Sequence, residues 1–269
     1  MRVSVPASSA NLGPGFDALG IALDLPFVLS DERDDQLLAV EATHPAAVAF
    51  AAAGGEGPLW WRSPIPPGRG LGFSGAARVA GALLGCVRSG LAEAEARVRG
   101  LEIASELEHH PDNAAASMLG GVTVAAGGSA LRVPTSLDVR VVVWWPATET
   151  STNKARAALP ATVAFEDAVF NIGRTALLVA ALSCGDLGAL AAATEDRLHQ
   201  DLRIALSPES GAVLELLRSA GVIAAWLSGS GPTVASLVIP DQAERVAALL
   251  PSAGTARVLD IDQRGARLG

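Results

Sequence analysis

Three glycines, Gly70, Gly72 and Gly75, stand in a G-x-G-x-x-G spacing within PIPPGRGLGFSGAARVAGALLG (residues 64–85), and Ser74 lies among them. A glycine loop that runs into a helix can wrap an anion, because the first-turn N–H groups have no intrahelical partner and the helix dipole favours negative charge there. The dipole alone contributes about 0.3–2 kcal/mol. A nucleotide triphosphate would therefore also need a divalent cation and hard oxygen ligands to hold it. Ser74 offers one such oxygen, or a simple N-cap. Glu108 offers another: on a helix from about residue 91 to 109 it shares a stripe with Val98, Leu101 and Ala104. A lone carboxylate on an apolar face is costly unless paired or metal-bound. A helix-end glutamate reaching out to solvent is the plain alternative.

Other readings of the loop weigh less. A dinucleotide fingerprint needs an acidic residue about 20 positions on, at a strand end. Glu93 and Glu95 stand at that distance, at a helical start. A Walker A loop needs a lysine, and the only lysine in the chain is Lys154. A turn that merely caps a helix stays open. EHHPDN (108–113) gathers ionisable and amide groups at a helix exit; His109 and His110 do not form H-E-x-x-H, and Asp112 with Asn113 could simply cap the next helix. SSANLGPGFD (8–17) and SGSGPT (228–233) are polar glycine loops, each by itself a turn.

The elements that must carry these loops are mixed. Apolar stretches at 2–6 and 18–29 predict strands around the first polar loop, 45–53 a short helix, and PLWWRSPI a strand with prolines at its ends. Helices are expected at 74–87, 91–109, 166–183, 186–200, 209–220 and 241–250. Strands are expected at GGVTVAAGG, LDVRVVVWWP, on both sides of SGSGPT, and at 255–261. Without strict β-α-β alternation, an α+β fold in two lobes fits best, with a boundary near Pro134: residues 1–134 and 135–269.

Bulk properties narrow the function classes. The chain has 269 residues and a net charge of -8, which argues against nucleic acid as the main partner. No uninterrupted apolar run of about 18 residues occurs, so no membrane span is expected, nor is a signal peptide at the N-terminus. Cys86 and Cys184 lack metal spacing and read as small buried hydrophobes in a reducing, cytoplasmic setting.

Taken together and in order, the strings become specific. PASSANLGPGFDALGIAL (6–23) resembles the opening motif of homoserine kinases. PPGRGLGFSGAA (66–77) resembles the phosphate loop of the GHMP kinase superfamily, P-x-x-x-G-L-G-S-S-A-A. EHHPDNAAASMLGG (108–121) resembles its E-G-H-P-D-N segment, and LSGSGPTVASL (227–237) its third motif. The likeness continues through TSTNKARAALP, FNIGRTALLVAAL, EDRLHQDLR and DQRGAR, over nearly the whole chain. The resemblance implies a two-lobed GHMP kinase fold, with an N-terminal lobe like domain 2 of ribosomal protein S5 and a ferredoxin-like C-terminal lobe. It also implies transfer of the ATP γ-phosphoryl group to the side-chain hydroxyl of L-homoserine, in threonine biosynthesis, with Mg²⁺.

Carried over residue by residue, the resemblance puts Mg²⁺ on Ser74 and Glu108. ATP falls on the loop Gly68, Arg69, Gly70, Leu71, Gly72, Phe73, Ser74 and Gly75. Homoserine falls on Asn11, Asp17, Asn113, Thr152, Arg156 and Arg203. Asp17 can answer an ammonium, and an arginine fork suits a carboxylate. Asn113 stands where several GHMP kinases carry an aspartate base; an amide accepts no proton at neutral pH, so catalysis would rest on Asn113, Glu108 and Ser74 as positioning and charge-neutralising groups. Homologues suggest a homodimer, with the paired tryptophans as apolar surface.

Three features depart from the family pattern. Phe73 replaces a serine of the loop, His109 replaces a glycine, and HPAAVAFAAAGGEGPLWWRS (44–63) shows no usual adenine pocket, which leaves Trp60 or Trp61 as candidates for the base. A GHMP kinase for another small hydroxylated acid, or a ligand-binding homologue with an impaired ATP site, are therefore the competing expectations.

Overall fold

The computed structural model describes residues 1–149 and 152–269, the side chains of Thr152 and Asn153 lying outside that description. In chain order the first half carries β1 (Arg2–Ala10), β2 (Leu19–Ser30), β3 (Leu38–Ala39), α1 (Pro45–Ala52), β4 (Trp60–Arg62), α2 (Phe73–Arg88), α3 (Glu93–Glu108), α4 (Asp112–Leu119), β5 (Val122–Ala126) and β6 (Ser129–Val133). The second carries β7 (Arg140–Pro146), α5 (Thr152–Ala157), α6 (Phe165–Cys184), α7 (Leu187–Ala193), α8 (Gln200–Ile204), α9 (Pro208–Ser219), β8 (Ala224–Leu227), β9 (Val234–Val238), α10 (Ala243–Ala248), β10 (Gly254–Leu259) and β11 (Arg267–Leu268).

Two sheets result, and the fold is the expected α+β. The long antiparallel pair β1–β2, in register from Arg2↔Ser30 to Ala10↔Gly20 with one shift after Pro6, is the spine of a sheet ordered β11-β1-β2-β4-β3, extended from β2 through β5 to β6. The second sheet is antiparallel in the order β10-β7-β9-β8. Counted from β7, that is 4-1-3-2, the order of a ferredoxin-like split βαβ. Val142, Trp144, Val213, Leu217 and Val246 fill one face of this sheet under α9 and α10. Its other face, with Val141, Val143 and Trp226, shares the main core with the first sheet.

Small residues decide how the helices of the first half pack. In α2 the run AARVAGALLGC is buried on most sides, and a Cβ on Gly81 would collide with the carbonyl of Ala46 in α1. Only glycine lets the two helices approach so closely. In α3 the buried residues are Ala96, Gly100, Ile103 and Ala104, while Val98 is exposed, so the apolar stripe expected through Val98 is rotated away from that residue.

Several expectations are corrected. The helix foreseen at 186–200 stops at Ala193, and a second begins only at Gln200. There the Asp196 carboxylate accepts from the His199 and Gln200 N–H groups (both 2.8 Å) and from Asn171 Nδ2 (2.7 Å), so a side chain takes N–H groups that helical carbonyls would otherwise take. Ser74 is not the N-cap of α2, a position held by Gly72 in the left-handed region (φ 69°). Cys86 is buried but Cys184 is exposed. Of the paired tryptophans, Trp144 and Trp145 are buried, while Trp60 and Trp61 are half-buried. The chain leaves the first sheet at Val133 and joins the second at Arg140, yet β11 returns to β1. The boundary near Pro134 stands as a proposal.

Helix α6 is long and apolar enough to cross a membrane by length and composition (20 residues, hydropathy 1.3). Three of its polar groups bond within this fold: Asn171 Nδ2 donates to the Pro14 carbonyl (3.2 Å), Thr175 Oγ1 to the same carbonyl (3.1 Å), and Arg174 pairs with Glu195 (2.7 Å).

Phe73 opens α2 and turns its ring edge-on toward Phe27 (5.7 Å), Trp61 (5.5 Å) and His44 (5.8 Å). Trp61 in turn stacks on Phe27 (5.5 Å), and His44 Nδ1 accepts from the Ala46 N–H to cap α1. The ring thus joins β2, β4 and α2. Phe73→Ser is expected to cost about 2–3 kcal/mol of stability through lost burial and ring contacts. An unchanged urea midpoint would contradict this packing role.

Candidate active site

The phosphate-loop stretch is held from behind by its carbonyls. Ser8 N–H donates to Leu71 O (3.3 Å), Ser228 Oγ to Gly70 O (2.6 Å), and the Thr233 N–H to Arg69 O (3.3 Å), with the Thr233 hydroxyl on the same oxygen. Leu71 is fully buried and anchors the turn. Gly70 and Gly72 have φ of 76° and 69°, and a Cβ on either would strike Ser228 O or Ser8 Oγ. With its carbonyls occupied, the loop and the first turn of α2 present their N–H groups to a cavity of about 550 Å³.

At the mouth of that helix stands Glu108, on the last turn of α3. Its carboxylate is 6% exposed and accepts from Ser74 Oγ (2.7 Å) and from Arg78 Nη1 on the same oxygen, Oε1. The two oxygens foreseen as metal ligands are therefore in contact. Hard oxygens at a helix N-terminus, with room for water and phosphate beside them, are a donor set that suits Mg²⁺. The idle buried Nε of Arg78, the glycine cradle and the cavity size fit a bound polyphosphate. Arg78 escaped the sequence reading, although its place one turn after Ser74 on the same helix was the available signal. His109, which ends α3, has φ 64°. The position demands left-handed backbone, which explains why the family pattern has glycine there.

The other end of the cavity comes from distant segments. Asn11 (φ 71°) accepts from the Asp17 N–H on its Oδ1 (3.0 Å) and donates from Nδ2 to Gly229 O (3.0 Å). It shapes the loop as well as facing the cavity. Asp17 takes a two-oxygen contact from Arg156 Nη2 (2.8 and 2.9 Å). Arg203 is 4% exposed, donates from Nη1 to Gly229 O (2.9 Å) and keeps an unpartnered buried Nε. The guanidinium carbons of Arg156 and Arg203 lie 5.5 and 5.0 Å from the Phe16 ring centre. Burial lowers the Arg203 pKa, opposed by the charge of Asp17.

Between the two ends lies Asn113, whose Oδ1 accepts from Ser8 Oγ (2.9 Å) and whose N–H donates to Asp112 Oδ1 (2.7 Å). His110 Nδ1 is 2.7 Å from the same Asp112 oxygen. Ligand atoms of Asp17, His110 and Asp112 lie within 4.8 Å of one another, but each already has a partner. The structure thus brings together Asn11, Asp17, the 68–74 loop, Glu108, Asn113, Arg156 and Arg203 around one cavity. Gly75 stands behind it, against the Asn113 side chain. The Thr152 side chain lies outside the described residues.

The fold is that of a GHMP kinase. The model of the GHMP kinases N terminal domain matches residues 38–121, and that of the GHMP kinases C terminal matches residues 177–255. The chain is 41% identical to a homoserine kinase of Streptomyces coelicolor, over 99% of this chain and 93% of that protein. It is 36% identical to one of Desulfitobacterium hafniense, over 99% of both. The crystal structure of a homoserine kinase from Cytophaga hutchinsonii superposes with a TM-score of 0.84 at 23% identity, over 99% of this chain and 96% of that one, which concerns the fold. The chain belongs to the homoserine kinase family.

Two histidines at this site should titrate in opposite directions. Burial opposes the charged form of His110, but the Asp112 hydrogen bond and the Asp112, Glu108 and Asp17 charges outweigh it and raise its pKa above 6.5. Burial lowers that of His199, whose Nε2 is 2.8 Å from Gly13 O. A raised folded pKa means that the His110 contribution is complete below pH 6.5 and is lost as pH rises through the folded value; the His199 contribution is complete above 6.5 and lost as pH falls. NMR titration should place His110 above and His199 below 6.5. His110→Gln should destabilise more at pH 6 than at pH 8, and the opposite order would refute the Asp112 pairing.

Proposed function

We propose that this chain transfers the γ-phosphoryl group of ATP to the side-chain hydroxyl of L-homoserine, giving O-phospho-L-homoserine and ADP. The observation that carries the reading is one cavity with a glycine loop, Ser74 and Glu108 at one end and Asp17, Arg156 and Arg203 at the other. An amino acid offers an ammonium to Asp17 and a carboxylate to the two arginines, so it would replace the Asp17–Arg156 ion pair with two complementary ones. Each charge-assisted hydrogen bond contributes roughly 1.5–3 kcal/mol, enough to select so small a ligand.

Ser74 and Glu108 would hold Mg²⁺, which when bound neutralises charge on the phosphates. The loop N–H groups and the α2 terminus orient the phosphate chain, and Asn113, fixed by Ser8 and Asp112, orients the acceptor hydroxyl. His110 is buried, which lowers its pKa, but its hydrogen bond to Asp112 and the nearby carboxylates raise it above the ordinary histidine value. Positioning and charge neutralisation thus carry the reaction, and the hydroxyl proton leaves late, with the transferred group. The ring of Phe73 is engaged by Phe27, Trp61 and His44, which supports an intact loop over an impaired one.

The partners remain small molecules in this reading, in the cytoplasm, with neither nucleic acid nor membrane. A homodimer is part of it: Phe165, Val169 and Ile172 form an exposed apolar stripe on α6.

Coupled ADP release with homoserine, threonine, serine and pantoate, with and without Mg²⁺, tests the activity. Homoserine should be the preferred acceptor, and no turnover with any of them would refute the reading. Glu108→Gln should lower kcat at least tenfold with a modest change in the homoserine KM, and Arg203→Ala should raise that KM tenfold or more; reversed effects would overturn the roles. A single pKa of 6–7 governing kcat and abolished with one side chain would refute base-free catalysis. In sedimentation, wild type should be a dimer and Ile172→Asp a monomer of unchanged fold.

A further inference from the structure

Four arginines line the cavity: Arg69, Arg78, Arg156 and Arg203. Three have work that fixes them elsewhere. Arg69 is tied back to the carbonyls of Pro67 (3.1 Å) and Ala147 (2.7 Å) and to Glu149 (3.3 Å). Arg156 holds Asp17, and Arg203 the Gly229 carbonyl, both at the acceptor end. Arg78 alone of the four stands at the mouth of α2. It follows Ser74 by four residues, so both side chains leave the same face of the helix and reach one oxygen of Glu108.

This arrangement is only half used. Arg78 engages Glu108 through Nη1, and its Nε is buried with no partner. A guanidinium offers a planar fork of donors matched to two oxygens of a carboxylate or phosphate; here one prong is occupied and another is idle. The oxygen it occupies, Glu108 Oε1, also takes the Ser74 hydroxyl, so a metal ion bound between Ser74 and Glu108 would meet the guanidinium at the same atom. A divalent ion there would stand at contact distance from the guanidinium, and the two cations repel. The loop meanwhile contains no lysine, and its Phe73 side chain is spent on the aromatic cluster. The cation beside the phosphates must come from the helix itself.

The geometry points to Arg78 as a phosphate-binding residue that exchanges places with the metal, given the phosphoryl-transfer reading of this cavity. Without metal it neutralises Glu108 and holds the carboxylate against Ser74. When the metal takes Glu108, Arg78 turns its fork to the phosphate oxygens at the α2 terminus. The chain therefore carries its own counter-ion to the metal ligand and a second positive charge for the phosphates, which a loop with a second serine in place of Phe73 would not supply.

Two binding measurements test this without relying on turnover. With Mg²⁺ present, titration calorimetry with ADP should show Arg78→Gln binding tenfold or more weakly than wild type. In the absence of nucleotide, Mn²⁺ binding followed by electron paramagnetic resonance should be several-fold tighter in Arg78→Gln, because Glu108 is released from its competitor, and should be lost in Glu108→Gln. Arg78→Lys, which keeps the charge but not the fork, should bind ADP with intermediate affinity. It also serves as the readout if Arg78→Gln does not fold. ADP affinity within twofold of wild type in both variants, no ADP binding by wild type, or Mn²⁺ affinity unchanged or weakened in Arg78→Gln would each overturn the assignment. If these measurements come out as expected while homoserine is not phosphorylated, the proposed acceptor fails and the role of Arg78 stands.

Discussion

Glu108 lies at the unfavourable end of its own helix and at the favourable end of another. The C-terminus of α3 carries partial negative charge, which disfavours a carboxylate, while the N-terminus of α2 carries partial positive charge, which attracts one. The side chain is almost wholly buried, and a buried carboxylate without partners costs several kcal/mol. Ser74 and Arg78, both on α2, meet that demand. The two helices are thereby locked end to side, and the lock fixes where the glycine loop points. Every other feature of the nucleotide end, from the N–H cradle to the metal ligands, depends on this contact being made.

The acceptor end depends on a second join, between the two sheets. The Trp226 indole donates to Ser9 Oγ (2.9 Å), Ser228 Oγ lies 2.7 Å from the same oxygen, and Ser228 also reaches Gly70 O. This buried network stitches β1, the glycine loop and the β8–β9 connection into one polar seam, each member satisfied by another. One residue further on, Gly229 O accepts from both Asn11 and Arg203. The same connection thus steadies the phosphate loop and aims an arginine at the substrate, which couples the two ends of the cavity mechanically.

Much of this was legible in the sequence, for reasons that differ from place to place. The loop glycines were readable because only glycine tolerates positive φ with the backbone of another segment pressed against it, so composition reports geometry directly. Strands such as β2 and β7 were readable from long apolar runs, broken in β2 only by Asp24. The break between α7 and α8 was not, because the helical pattern continues through it and the Asp196 side chain that opens α8 acts only once Asn171 and His199 are beside it. The packing of Phe73 was equally hidden: its partners Phe27, His44 and Trp61 come from three other segments.

What the sequence determined by itself was the set of local motifs and their order, and with them the family, the glycine loop and the residue types able to bind an amino acid and a phosphate chain. Those are short-range properties: turn chemistry, helix termini and the charges on individual side chains. Only the tertiary structure decided which of them touch. It brought Arg78 to Glu108, made Arg203 a buried and partly idle fork while Asp17 closed on Arg156, exposed Cys184, and turned Phe73 from a missing hydroxyl into a packing element. The reason is distance along the chain. Asp17 and Arg156, or Ser74 and Glu108, are remote in sequence, and whether such groups meet is set by the packing of whole helices and sheets, which no local pattern records.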